Sequence, residues 1–125
     1  MDRRVLAGAL SSILAASALV ASFDARAQDI TVTLLGTGTP TPAMNRFGPS
    51  ILVEAGGRKF LFDAGRGATQ RLAQAKVPWQ RVDGIFLTHL HSDHVVGFAD
   101  LWPTGWLVGQ RDRPLRVWGR AERSR

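Results

Sequence analysis

Residues 88 to 94 read Thr-His-Leu-His-Ser-Asp-His, and all three histidines of the chain, His89, His91 and His94, fall in this heptad together with Asp93. Neutral imidazole nitrogens and a carboxylate are the donors that a borderline cation such as Zn²⁺ prefers. The chain has no cysteine, so a metal held here must use histidine and carboxylate. Four donors within six residues converge only if the backbone turns. His89 and His91, two apart at the end of an extended segment, project to one side and grip one metal. Asp93 and His94, after the turn, face a second. The plainer reading makes these surface or satisfied core histidines, but H-x-H-x-D-H straight after an apolar strand is a multi-residue pattern that favours a metal site.

The neighbouring residues predict the required turn. Gly84-Ile85-Phe86-Leu87-Thr88 is a short apolar run of strand character, and residues 95–102 carry a helix that Pro103 interrupts. Upstream, Ile30, Val32 and Leu34 alternate with Thr31 and Thr33 as in a half-buried strand. Residues 50–55 and 58–63 form a hairpin, because Gly56-Gly57 supplies the positive φ angles of a type I′ turn. A helix is expected from about Thr69 to Lys76, stopped by Val77-Pro78, and a last strand over Leu115-Arg116-Val117-Trp118. Strands first and β-α-β units afterwards indicate an α/β layered domain.

Three further stretches accompany the heptad. Leu34-Leu35-Gly36-Thr37-Gly38-Thr39-Pro40-Thr41-Pro42 follows the first strand, Phe62-Asp63-Ala64-Gly65-Arg66-Gly67-Ala68-Thr69-Gln70 follows the third, and Asp100-Leu101-Trp102 follows the heptad. From about Ile30 to Gly119 the chain resembles the metallo-β-lactamase superfamily of binuclear metal hydrolases, in its ribonuclease Z and arylsulfatase-like branch. The resemblance implies the N-terminal half of a four-layer αβ/βα sandwich on a mixed sheet. It also implies two divalent metal ions, Zn²⁺ first among them, bound by His89, His91, Asp93 and His94. A metal-bridged hydroxide would then attack an ester polarised by the same cations, with Asp93 as the catalytic residue that helps orient it.

The same resemblance places Asp63 near the metal cleft, where its carboxylate can accept a hydrogen bond from a ligand imidazole. The alternative is an acceptor for backbone N–H groups in its own turn. Gly36-Thr37-Gly38 offers either a phosphate cradle or, without a Walker lysine, simply tight geometry. Trp102 and Trp106, four apart, wall an apolar substrate pocket or belong to the core.

The rest of the 125 residues bounds these readings. With 45% hydrophobic and 21% charged residues the chain is long enough for one globular domain. Met1-Asp2-Arg3-Arg4, an uncharged stretch over residues 5–21, and Ala25-Arg26-Ala27 predict an export signal over residues 1–27, cut after Ala27. Arg3-Arg4 leaves the twin-arginine route open. A spanning anchor needs about 20 strongly apolar residues, so stable membrane insertion is not expected. The expected product is a periplasmic or secreted domain over residues 28–125.

A net charge of +6 suits a small anionic substrate. Nucleic acid is the weaker partner, since the arginines crowd the C-terminal tail without a recognisable nucleic-acid module. Members of the resembled superfamily complete the metal pair with ligands well downstream, whereas no histidine follows His94 here. The expectation is therefore a truncated or frame-shifted portion of a longer hydrolase, inactive alone, with pairing to a second copy open. Its reaction is expected to be cleavage of a sulfate- or phosphate-type ester. The first alternative is a ribonuclease Z-like tRNA 3′-processing endoribonuclease, disfavoured by the export signal and by Arg66 where that branch is expected to carry an acidic residue. The second is a non-catalytic metal-binding fragment.

Overall fold

The computed structural model describes residues 29–120. The expected export signal lies outside the described residues. Strands β1 (Ile30–Gly36), β2 (Ser50–Ala55), β3 (Arg58–Phe62), β4 (Gly84–Phe86) and β5 (Arg116–Trp118) form one sheet in chain order. β1, β2 and β3 are antiparallel neighbours, and β3, β4 and β5 are parallel, so the sheet is mixed as expected. Gly56 and Gly57, at φ 56° and 74°, close the β2–β3 hairpin in the left-handed geometry of a type I′ turn.

A parallel step from β3 to β4 needs a crossover. Helix α1 (Ala68–Gln74) and a 3₁₀ turn over Trp79–Arg81 supply it. α1 ends as a Schellman motif: Lys76 sits at φ 57°, its N–H reaches the Ala73 carbonyl, and the Val77 N–H reaches that of Leu72. The helix therefore stops before Lys76, two residues earlier than expected. After β4 come the short helices α2 (Ser92–Val95) and α3 (Phe98–Pro103).

The α-helix ends at Pro103, where an interruption is expected, but the helical path continues. The chain stays helical at Pro103 (φ −67°, ψ −35°) and widens into a π-helical turn over Thr104–Val108, where the Gly109 N–H reaches the Thr104 carbonyl at 2.9 Å. Among the described residues, no helix is long and apolar enough to cross a membrane.

The helices cover one face of the sheet only. Cross-strand neighbours Leu52, Leu61 and Ile85 are buried there with Leu35, Leu72, Val82 and Leu101. Each fully buried aliphatic side chain contributes about 1.5–3 kcal/mol over an exposed one. The opposite row runs Leu34, Ile51, Phe62, Phe86, Trp118 across all five strands. Phe86 stacks on both Phe62 and Trp118, with centroids 5.0 and 4.7 Å apart. Ile30, Val32 and Leu34 of β1 lie on this second face, 68%, 59% and 59% exposed. The alternation expected in β1 is present, but its apolar side is the one the helices leave bare.

Candidate metal centre

β3 ends at Phe62 because Asp63 turns the chain at φ 59°, a left-handed conformation that aspartate tolerates better than most residues. Its N–H still donates to the Phe86 carbonyl at 2.9 Å, and its carbonyl accepts the Ser50 hydroxyl at 3.1 Å. The backbone of Asp63 is thus fixed between β2 and β4. Its buried carboxylate is aimed at the end of β4 and the start of α2.

There the carboxylate collects three donors. Oδ1 accepts the Thr88 N–H at 2.8 Å, and Oδ2 accepts the Thr88 hydroxyl at 2.8 Å and His94 Nδ1 at 2.7 Å. Asp63 accepts from an imidazole and from a backbone N–H, but that N–H belongs to Thr88 and not, as the alternative expected, to its own turn. Because an ionised carboxylate can only accept, His94 Nδ1 carries the hydrogen and Nε2 presents its lone pair outward. Thr88 spends its one hydroxyl hydrogen on Asp63, so its oxygen can accept from His89 Nδ1, 3.0 Å away. His89 Nε2 is left with a lone pair in the same way. One carboxylate orients two imidazoles, the first directly and the second through a hydroxyl.

The donor spacings match half of a coordination shell. His89 Nε2 and His91 Nδ1 are 3.2 Å apart, while two nitrogens at ideal tetrahedral zinc distances stand about 3.3 Å apart. Such facing nitrogens are reconciled by a shared proton or by a shared cation. His94 Nε2 and the buried Asp93 Oδ2, at 3.6 Å, form a second such edge. His89 and His94 lie with ring centroids 3.9 Å apart, so the two edges adjoin. Among the described residues, no group of three or more His, Asp or Glu side chains is arranged to hold a metal ion. The residues present fit two neighbouring cation positions with two donors each and complete neither.

Backbone packing fixes the geometry. The Ala64 N–H donates to the His94 carbonyl at 2.8 Å, and the Gly97 N–H donates to the Ala64 carbonyl at 2.9 Å, strapping α2 to the Asp63 loop. A Cβ on Gly97 would stand 2.1 Å from the Gly65 carbonyl oxygen, so only glycine permits this approach. Gly36 and Gly38 have the same cause: a Cβ at either would strike backbone at Gly48 or Phe47. Close chain packing, not a phosphate cradle, explains that loop. Thr88 is the participant the sequence does not single out; its only signal is a hydroxyl residue directly before His89.

A family model described as Anti-Pycsar protein Apyc1 matches residues 30–113. Ribonuclease Z from Mycobacterium sp. (strain KMS) is 48% identical over 91 residues, which cover 72% of this chain and 32% of that protein. The chain thus spans about a third of the length of the curated relatives it matches. The human tRNase Z short form superposes with a TM-score of 0.63 at 34% identity, over 69% of this chain and 33% of that one. The metallo-β-lactamase fold protein YhfI from Bacillus subtilis gives 0.64 at 27% identity, over 72% and 37%. These likenesses favour the ribonuclease Z-like alternative over the sulfate- or phosphate-ester specificity placed first above. With its mixed sheet, its heptad at the end of β4 and this family match, the chain belongs to the Anti-Pycsar protein Apyc1 family, within the metallo-β-lactamase superfamily of hydrolases.

Proposed function

We propose that this chain supplies the metal-gripping heptad of a ribonuclease Z-like hydrolase that cleaves a phosphodiester of RNA with a pair of divalent metals, Zn²⁺ by donor preference. The observation that carries this reading is the Asp63–Thr88–His89 and Asp63–His94 network in a chain 48% identical to a ribonuclease Z over its matched residues. His89 and His91 would hold one cation, Asp93 and His94 its neighbour. A bound pair would activate water and polarise the scissile group. Remaining ligands would come from residues beyond the described segment or from a second copy.

The chain's own residues do the positioning. Asp63 keeps the hydrogens on the Nδ1 atoms of His94 and, through Thr88, of His89, which turns both Nε2 atoms outward. Asp93, buried at the start of α2, keeps a carboxylate oxygen beside His94 Nε2.

A chimera tests the substrate. Residues 30–113 would replace the matched segment of the mycobacterial ribonuclease Z, and cleavage of a 3′-extended tRNA, an aryl phosphate and an aryl sulfate would be followed. Retained tRNA processing that disappears in His89→Ala supports the reading. A metal-loaded chimera that cleaves only the aryl esters would return the substrate to the small-ester class.

A further inference from the structure

Away from the heptad lies a cleft of about 440 Å³ lined by Trp102, Trp106, Leu115 and the charged run Arg111, Asp112 and Arg113. That is within the size range of small-ligand sites, about 300–1,000 Å³. Trp102, at the end of α3, and Trp106, in the π-helical turn, stand one above the other with ring centroids 6.3 Å apart and planes 23° apart. They are 51% and 58% exposed, so they are not core. Two near-parallel indoles, each more than half exposed, leave aromatic surface open to solvent.

The cleft also carries a cation held in place by carbonyls. Arg111 Nη1 donates to the Val82 carbonyl at 2.8 Å and Nη2 to the Trp79 carbonyl at 2.7 Å, while Nε is buried without a partner. Carbonyls fix the guanidinium but do not cancel its charge, and it takes part in none of the ion pairs among the described residues. Burial lowers its pKa, helped by the Arg113 charge and opposed by Asp83 and Asp112. Arg113 gives one N–H to Asp83 at 3.0 Å, and its side chain is about half exposed. An aromatic platform beside two arginines, one of them paired with Asp83, suits a planar ligand that carries a phosphate.

We propose that this cleft binds one unpaired nucleotide of a single-stranded RNA, its base stacked against Trp102 and Trp106 and its phosphate drawn to Arg111 and Arg113. The choice of RNA among planar anions rests on the ribonuclease Z-like reading. Every base has a π face, so stacking sets no sequence preference, and guanidinium forks match phosphate. Asp112 and Asp83 offset the two arginine charges, so binding depends on stacking more than on charge.

The test is fluorescence anisotropy of a labelled ten-nucleotide RNA with the 125-residue protein in EDTA, where cleavage plays no part. Binding should saturate and weaken roughly tenfold in Trp102→Ala/Trp106→Ala, with much of it restored by aromatic replacement in Trp102→Phe/Trp106→Phe. Arg113→Glu, at an exposed position, should weaken it independently. Circular dichroism checks that the indole variants keep their fold. No RNA binding, equal binding by the tryptophan variants, or AMP competing as well as RNA per nucleotide would each overturn the proposal. Tryptophan-independent RNA binding with tRNA processing by the chimera would remove this site alone; tryptophan-dependent binding without processing would keep the site and remove the enzymatic reading.

Discussion

His94 Nδ1 donates to Asp63 Oδ2 at 2.7 Å across 31 residues of sequence, and Thr88 ties the same carboxylate to His89. The connection ranks Asp63 above the other buried polar groups as the residue on which the heptad's geometry depends. Asp63→Asn preserves the shape and tolerates the left-handed backbone, yet its amide places a donor where two donors already point. Zinc affinity is expected to fall about 10–100-fold. Leaving a buried donor unpaired should also cost about 1–3 kcal/mol of stability. Zinc titration and thermal unfolding of the same variant measure both, and unchanged affinity would show that the imidazoles need no orienting partner.

Thr88→Val separates the two arms of the network. It keeps volume and β-branching but removes the hydroxyl that links Asp63 to His89, while the Thr88 N–H bond and the His94 bond survive. The first cation position should weaken and the second should not. Histidine NMR resonances check this directly, since His89 should change tautomer balance and His94 should hold its Nδ1 hydrogen.

The two donor edges predict unequal damage. In the metal-loaded chimera, His89→Ala/His91→Ala removes every described donor of one position and should lower the metal content by one ion with complete loss of hydrolysis. Asp93→Ala or His94→Ala should leave partial occupancy at the neighbouring position. Elemental analysis of dialysed protein decides, and unchanged stoichiometry in the double variant would reassign the ligands.

Much of this was legible in the sequence for identifiable reasons. The Gly56-Gly57 hairpin, the strand before the heptad and the turn after it follow from local backbone chemistry, and each forms as expected. Features set by distant partners were not legible. Thr88 becomes a relay only because Asp63, 25 residues earlier, turns towards it. Arg111 becomes a fixed cation because Trp79 and Val82 offer carbonyls across the crossover. The alternation in β1 fixed which residues share a face but not which face the helices would cover.

Glycines with different reasons should respond differently to alanine. Gly97→Ala drives a Cβ into the Gly65 carbonyl oxygen, and relief requires moving backbone that positions Asp63 and α2. A loss of about 1–3 kcal/mol is expected, with a parallel loss of zinc affinity. Gly57→Ala meets nothing within 4 Å and strains only a φ of 74°. It should cost about 1 kcal/mol and leave zinc affinity alone. Chemical denaturation of both variants, paired with zinc titration, makes the comparison; equal effects on zinc would mean that Gly97 acts only through global stability.

The bare face of the sheet should make the chain associate. Ile30, Val32 and Leu34 form an exposed apolar row on the β1 edge, and the aromatic row Phe62, Phe86, Trp118 continues the same face. A contiguous apolar surface of this kind, next to an unpaired strand edge, favours contact with another sheet. Concentration-dependent growth in sedimentation coefficient is expected for residues 28–125, with a second copy of the chain as the partner. Val32→Lys and Leu34→Lys place charges where natural edge strands carry them. Both should shift the equilibrium to monomer while changing stability by no more than about 0.5 kcal/mol, because neither side chain is buried in the monomer. Association that persists in the double lysine variant would move the contact to the exposed tryptophans of α3 and the π-helical turn, and a monomer at every concentration would show that this face needs no cover.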